Sequence, residues 1–514
     1  MTHHQHGLGR QRSTRSKALA FMRRAFQALE ARGASGTSLI LILIIGATGI
    51  FQVLPNGLLV FGLLAIVFHE FQKRLDQGLP LMQLAGLLGI LQWIIGPYLC
   101  YATGYQMDRY IMYVKEPDYF SFAIPGTAAF VLGLLAIGSS VRQKELMFGV
   151  PRQSFLAIGI VLNVGALVAG IAAERMPGGL SFLFHLLSQA GYIGTIYFLF
   201  SHSPYRWLLI GLSVLPLVRT STESAMFHDM ILWLALLFCY WYSLRRHSPT
   251  GKIILISVVC ISLFTIQAIK QEYRAKVWQG EEASFVEHVF DFWTKEKSAS
   301  DEGVMANVVA RLNQGWIISA VLNNVPSAVP FANGETFVDA FYGAFVPRFL
   351  APDKVKAGGQ VNFRRFTGLN IADSTSMAIS PLGEAYANFG RMGGVITIGG
   401  LGMLMSLLYS LCLRFSLKHA TFLFWIPLIF YQAIKAETES ATVLNQLSKG
   451  AVVAFGLHWL ITHHLVPHFF PPQVRRKRNV VRVDGGVDRS AGLELSDSIS
   501  VGDIKASPTP VEGK

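Results

Sequence analysis

Long apolar runs, each followed by a short polar stretch, recur along most of the 514 residues of this chain. Many of them approach the roughly 20 residues that an α-helix needs to cross a bilayer. The residue-by-residue alternation of a membrane β-barrel is absent. We therefore predict an all-α, polytopic membrane protein with about twelve transmembrane helices. The predicted spans cover residues 37–54, 56–71, 80–102, 119–138, 154–173, 179–200, 207–218, 226–244, 252–270, 392–412, 420–436 and 449–466.

One long polar segment, residues 271–391, lies between the ninth and tenth predicted spans. Its first thirty residues are charged and aromatic, which is typical of a helix lying at the membrane interface. Apolar positions at helical spacing predict two more helices, one over 304–325 and one that starts at Gly334 and ends before Pro347. The segment is expected to be a loop built of helices and turns.

Lysine and arginine are spread unevenly over alternate loops. With twelve spans and a cytoplasmic N-terminus, the short loops on the opposite side carry few of them. Those few are Arg109, Lys115, Arg175, Arg219 and Lys435. Because lysine and arginine concentrate in cytoplasmic loops, this orientation places segment 271–391 outside. The short seventh span is retained, since removing it would invert every later loop.

The two tails are expected to lie in the cytoplasm. Residues 16–32 place apolar side chains at helical spacing beside arginines, which indicates an interfacial helix. The chain beyond Val480 lacks an apolar pattern and is predicted to be disordered. No cleavable signal peptide is predicted. The predicted organisation is a basic tail (1–36), nine spans (37–270), the large loop (271–391), three spans (392–466) and a basic, disordered tail (467–514).

Composition agrees with this class, because only 15% of the residues are charged, against about 25% in soluble domains. The net charge of +13 is explained by lysines and arginines that collect in cytoplasmic loops and meet anionic lipid head groups. Nucleic acid is therefore not an expected partner. The four cysteines lie in apolar runs and indicate no disulfide framework. No metal-binding spacing such as HExxH occurs, so neither a metal nor a cofactor is predicted.

The large loop concentrates cations that suit phosphate. Arginine makes bidentate, permanently charged contacts with phosphate groups. The candidates are Arg311, Arg348, Arg364, Arg365 and Arg391, with Lys354 and Lys356. Tyr386 is a candidate for stacking on a sugar, and Glu384 is the candidate general base. The alternatives are a solvated loop that meets lipid head groups and, for Glu384, a carboxylate favoured by a helix N-terminus.

A second polar cluster lies outside, at the seventh and eighth predicted spans. It includes Arg219, His228 and Asp229. Charged groups at membrane depth are costly and usually face a cavity, although His228 is slightly better explained as a residue that caps the helix end and extends outwards. The polar stretch 435–446 is expected to close over the same opening.

These residues resemble the Wzy-type O-antigen and exopolysaccharide polymerases. The resemblance covers roughly residues 37–466, including the twelve-span layout with one large outside loop late in the chain. The local matches are Arg311 to Gly315, the stretch PRFLAPDKVK (347–356), the stretch GEAYANFG (383–390), and LVRTSTESAMF (217–227).

The resemblance implies a membrane glycosyltransferase of the C type in the bacterial inner membrane. It would transfer a growing glycan from polyprenyl (undecaprenyl) pyrophosphate to the end sugar of another lipid-linked repeat unit. By this resemblance Arg219, Arg311, Arg348 and Arg364 or Arg365 would hold the pyrophosphate leaving group. A chain-length regulator and a flippase are implied partners beside the membrane lipids.

Two alternatives remain open. An O-antigen ligase is expected to carry a histidine in the later half of the large loop, and this half has none. A lipid-linked oligosaccharide flippase or other transporter often shows internal repeats, and no repeat is evident in this chain.

Overall fold

A computed structural model describes most of the chain. The described residues are 34–104, 110–137, 141, 143–148, 152–176, 178–244, 249–281, 283–294, 302–346, 358–373 and 375–469. Over these ranges the chain is all α, interrupted by turns and by short 3-10 and π-helical stretches, and no strand is formed. The predicted fold class is confirmed at this level.

The helices follow the apolar runs closely. We number them in chain order. They are α1 (Gly36–Phe51), α2 (Asn56–Leu75), α3 (Leu81–Thr103), α4 (Glu116–Ala136), α5 (Gln143–Phe148), α6 (Phe155–Arg175), α7 (Gly178–Ser188), α8 (Ala190–Phe200), α9 (Arg206–Ser224), α10 (His228–Ser243), α11 (Pro249–Trp278), α12 (Phe285–Thr294), α13 (Glu302–Leu312), α14 (Gly315–Asn324), α15 (Glu335–Phe345), α16 (Gln360–Thr367), α17 (Ser380–Lys418), α18 (Ala420–Phe430), α19 (Ser440–Leu460) and α20 (Val466–Phe469).

Five helical stretches among the described residues are long and apolar enough to cross a membrane. They are Leu81–Thr103, Glu116–Ala136, Phe155–Arg175, Leu180–Phe200 and Ser380–Lys418. A bilayer span needs roughly 20 apolar residues, so this protein is a membrane protein by length and composition of its helices. The last of these helices is interrupted at Gly390, where φ is 66° and ψ is −160°.

The helix predicted over 304–325 is in fact two helices, α13 and α14. The break falls at Asn313 and Gln314, where the Asn313 side chain accepts a hydrogen bond from the Trp316 N–H at 3.1 Å. Asparagine side chains compete in this way with the helical backbone. The second helix then packs in the protein core, because Trp316 and its apolar neighbours are buried.

Helices enter the segment predicted as the large loop at both of its ends. Helix α11 continues past residue 270 to Trp278, and α17 begins at Ser380, inside the segment assigned to the loop. The interfacial helix predicted over 271–300 is therefore the end of α11, a turn and α12. The predicted span 420–436 is helical only to Phe430. The turn 431–439 follows it.

Helices α4 and α17 cross at very short range. A methyl group on Gly402 would lie 2.4 Å from the Phe130 carbonyl oxygen, and one on Gly133 would lie 2.3 Å from the Gly399 carbonyl oxygen. Small residues let membrane helices approach this closely. This crossing holds the N-terminal half of the chain against the C-terminal half.

Several predictions fall outside the described residues. They are the interfacial helix 16–32, the tail beyond residue 469, and the candidate cations Arg348, Lys354 and Lys356.

Candidate functional site

A cluster of charged side chains gathers where the turn 431–439 meets helices α10, α11 and α13. We call it the polar junction. Its members are His228 and Asp229 of α10, Lys270 and Arg274 of α11, Arg311 of α13, and Lys435 and Glu437 of the turn. The partners come from far apart in the chain, since Asp229 and Lys435 are 206 positions apart.

A π-helical turn of α3, Leu91–Ile95, holds two of the backbone segments that carry the side chains of the junction. In this turn the Gly96 N–H donates to the Leu91 carbonyl. The next residue, Pro97, has no N–H that could donate to the next carbonyl, that of Gln92. The Gln92 carbonyl therefore accepts the Gln314 N–H at 3.1 Å instead. One residue on, Trp93 Nε1 donates to the Ala436 carbonyl at 2.9 Å. The same turn of α3 thus fastens both the end of α13 and the turn 431–439.

One ion pair and one histidine–carboxylate contact connect the turn to α10. Lys435 Nζ lies 2.8 Å from Asp229 Oδ1, and it also lies 4.5 Å from the centre of the Tyr431 ring. His228 Nδ1 lies 3.3 Å from Glu437 Oε1. Lys435 is only 7% exposed, and a buried charge is retained only when it is paired. Removing Asp229 would leave the buried Lys435 charge unpaired, which is costly.

The junction carries more positive than negative charge. Burial and the nearby charge of Arg311 lower the pKa of Arg274, and Lys270 lies close to both arginines and to Glu437. Among the described residues, no carboxylate forms an ion pair with Arg311, whose Nε atom is buried without a hydrogen-bond partner. Its guanidinium lies 5.9 Å from the Tyr110 ring centre. Such an excess of desolvated cations is suited to an anion of high charge.

An apolar crevice lies directly beside the junction, between α8, α9 and α10. Tyr192, Leu217, Trp233 and Leu236 are among the residues that line it. The Trp233 ring stacks on Tyr192 at 4.3 Å and on Tyr431 at 4.8 Å between ring centres. Since Tyr431 also underlies Lys435, this aromatic stack connects the crevice to the charged groups.

Glu384, the predicted base, is fully buried (0% exposed) and lies in the first turns of α17. Its Oε2 atom accepts the Ser440 N–H, at the N-terminus of α19, at 2.7 Å. Carboxylates are favoured at helix N-termini because the helix dipole is positive there. Glu384 therefore stabilises the start of a second helix, α19. This burial and this contact favour an anchoring role, and a catalytic role for Glu384 stays a prediction.

Substitution of Glu384 separates these two roles. Glu384→Ala is expected to lower the free energy of unfolding by about 1–3 kcal/mol, because a buried N–H loses its acceptor. Glu384→Gln keeps an oxygen acceptor and is expected to retain stability and activity. Thermal unfolding of the purified variants, together with activity in membranes, checks both. A stable but inactive Glu384→Gln protein would instead support the base.

Most other predicted site residues have partners that are not members of the junction. Arg219 pairs with Glu223 at 2.7 Å, and its side chain is 75% exposed. Arg364 pairs with Asp373 at 2.7 Å. The Arg365 guanidinium makes two hydrogen bonds of 2.8 Å to the Glu335 carboxylate, which lower the pKa of that carboxyl.

The remaining predicted residues lie against α4 and α14. Arg391 donates to the Asp118 carbonyl at 3.1 Å and to the Ser121 hydroxyl. Tyr386 is buried, and its hydroxyl donates to the Val325 carbonyl at 3.2 Å. Of the described candidates, only Arg311 reaches the junction.

Sequence reasoning did not single out Lys270, Arg274 or Glu437 as site residues. It did note His228, Asp229 and the stretch 435–446, as polar groups facing one opening. For Lys270 and Arg274 the available signal was charge towards the end of an apolar helix, and Glu437 lies within the noted stretch 435–446. Such residues usually face a cavity, and Lys270 fits that pattern equally well.

The chain was compared with known families, proteins and structures. A family model described as a domain of unknown function (DUF8712) matches residues 113–415, which is more than half of the chain, so this protein belongs to that family. The matched region contains the α10, α11 and α13 members of the junction but not the turn 431–439. No curated protein and no solved structure matches the chain.

Proposed function

We propose that this protein is a membrane glycosyltransferase that acts on glycans linked to polyprenyl pyrophosphate. It transfers a growing glycan onto another lipid-linked repeat unit at the outer face of the bacterial inner membrane. The observation that carries the proposal is the polar junction beside an apolar crevice. A lipid pyrophosphate has the same two parts, a highly charged head and a hydrocarbon chain.

The charges of the junction suit the leaving group of this reaction. As the glycosidic bond to pyrophosphate breaks, negative charge develops on the departing oxygen. Fixed cations in a site of low dielectric stabilise such charge without reorganisation. Arg311, Arg274 and Lys270 can supply this field, while Lys435 remains paired with Asp229.

The proposal includes twelve spans with both termini in the cytoplasm. In that topology α10 enters the membrane at His228 and α11 leaves it near Lys270, so the two helix ends lie on the outer side. The junction then lies at the level of lipid head groups, and the crevice lies deeper, near the middle of the bilayer. This arrangement agrees with the loop-charge distribution described above.

A lipid-linked oligosaccharide transporter is the second candidate. The interruption of α17 at Gly390 favours it, because discontinuous helices often form the substrate sites of transporters. The two candidates differ in the product, since a transporter moves the repeat unit without lengthening it.

Binding of farnesyl pyrophosphate to the purified protein in nanodiscs tests the head-and-tail site. We expect it to bind at least about tenfold more tightly than inorganic pyrophosphate or farnesol, because each of these lacks one part of the ligand. Isothermal titration calorimetry measures all three. Equal affinity for farnesol would contradict a role for the cations.

The product distinguishes polymerase from transporter. Deletion of the gene in its host should leave single repeat units, still lipid-linked, at the outer face of the inner membrane. Accumulation of those units at the cytoplasmic face would support the transporter instead.

A further inference from the structure

We infer that His228 and Glu437 form a general-base pair, in which Glu437 orients the imidazole and His228 Nε2 accepts the proton of the acceptor sugar hydroxyl. The inference rests on the proposed function and assigns a base to it. It is carried by the position of the two side chains at the turn 431–439, next to the cations of the junction.

The geometry leaves one nitrogen of His228 available. Its Nδ1 atom lies 3.3 Å from Glu437 Oε1, and the other carboxylate oxygen accepts from Gln314 Nε2 at 3.4 Å. A carboxylate beside Nδ1 favours the tautomer that carries its proton there. Nε2 then bears the lone pair, and among the described residues this buried atom has no hydrogen-bond partner.

The other carboxylates near the junction are engaged elsewhere. Asp229 is paired with Lys435 at 2.8 Å. Glu384 is fully buried and accepts the Ser440 N–H. Glu439 is 2% exposed and accepts from Asn362 Nδ2 at 3.0 Å. A base must reach the hydroxyl directly or through one water, and His228 Nε2 is a nitrogen of the junction without a hydrogen-bond partner among the described residues.

The acceptor hydroxyl oxygen forms a bond to the anomeric carbon of the donor glycan, and the bond from that carbon to the pyrophosphate oxygen breaks. The leaving pyrophosphate takes both electrons of the broken bond, and its charge is met by Arg311 and its neighbours. The hydroxyl proton passes to His228 Nε2 and is released to water after the product leaves.

This role predicts loss of activity at low pH, because a protonated imidazole cannot accept the proton. The charged groups that face the ring are Glu437, Lys435, Asp229 and Lys270. The Glu437 carboxylate stabilises the imidazolium form. Glu437→Gln is therefore expected to move the acid limb of the activity profile to lower pH and to reduce the maximal rate.

The test compares His228→Gln and Glu437→Gln with His202→Gln, a control at an exposed histidine remote from the junction. Polymer formed from the host's own lipid-linked repeat units is measured in membrane vesicles between acid and neutral pH. We expect His228→Gln to lose about 100-fold or more in rate, and His202→Gln to match the wild type. Farnesyl pyrophosphate affinity of His228→Gln should stay within about threefold, because the ring faces the acceptor.

Three results would overturn the pair. They are an active His228→Gln protein, a His228→Gln protein that loses farnesyl pyrophosphate binding together with activity, and a Glu437→Gln protein whose acid limb does not move. The acid limb of the Glu437→Gln protein can still be measured if the His228→Gln protein fails to insert into the membrane. A wild-type protein that neither binds farnesyl pyrophosphate nor lengthens glycans would instead sink the proposed function.

Discussion

Replacement of Arg311 by alanine is expected to abolish chain lengthening, with a loss of about 100- to 1000-fold in rate, while the protein folds normally. The physical reason is that Arg311 contributes to the field at the proposed leaving group but has no ion-pair partner among the described residues. It lies close to Arg274 and Lys270, so its removal relieves repulsion between like charges. Stability should therefore be kept or slightly raised, which is the mark of a residue held for function.

The Arg311 prediction is checked by the length of the polysaccharide and by the thermal unfolding of the purified protein. Arg175→Ala is the matched control, because Arg175 ends α6 on the side predicted to be outside and, among the described residues, bonds only to the Ile171 carbonyl of its own helix, at 3.1 Å. Long polymer from Arg311→Ala at normal protein levels would remove Arg311 from the site.

A methyl group at Gly402 is expected to cause a large loss of stability. The added carbon would lie 2.4 Å from the Phe130 carbonyl oxygen and 3.1 Å from the Leu134 nitrogen, both backbone atoms of α4. Backbone atoms cannot move aside as a flexible side chain can, so α4 and α17 must separate. Overpacking of this kind costs about 1–3 kcal/mol, and occasionally more.

Gly400→Ala is the control for this crossing. It lies on the same helix, two residues away, and a methyl group there would meet no atom within 4 Å. Size-exclusion chromatography after heating should show Gly402→Ala aggregating well below the wild-type temperature and Gly400→Ala unchanged. Equal behaviour of the two variants would mean that the helices do not approach this closely.

Arg311 was chosen from the sequence by its chemistry and by the length of the polar segment around it. The same reasoning chose Arg364 and Arg365, and there the structure supplies partners, Asp373 and Glu335. A count of cations in one segment cannot reveal which are neutralised, because the neutralising residue can lie anywhere in the chain. Arg365 and Glu335 are 30 positions apart.

The contact that Glu384 makes could not be predicted from the sequence, for a different reason. The sequence places it near the start of a helix, and a carboxylate favoured by a helix N-terminus was one of its predicted roles. The structure adds that it also lies at the start of α19, 56 positions further on, through Ser440. Only the packing of α17 against α19 brings that N–H to the carboxylate.

The sequence by itself determined that this is an all-α membrane protein, where most of its helices run, and that charged groups gather at helix ends. These properties depend on residues that are neighbours in the chain, since helical spacing and the length of an apolar run are local. The tertiary structure alone decided that α3, α10, α11, α13 and the turn 431–439 meet at one junction. Charge pairs, buried hydrogen bonds and close backbone contacts depend on how distant helices pack, because each needs two groups brought within a few ångströms.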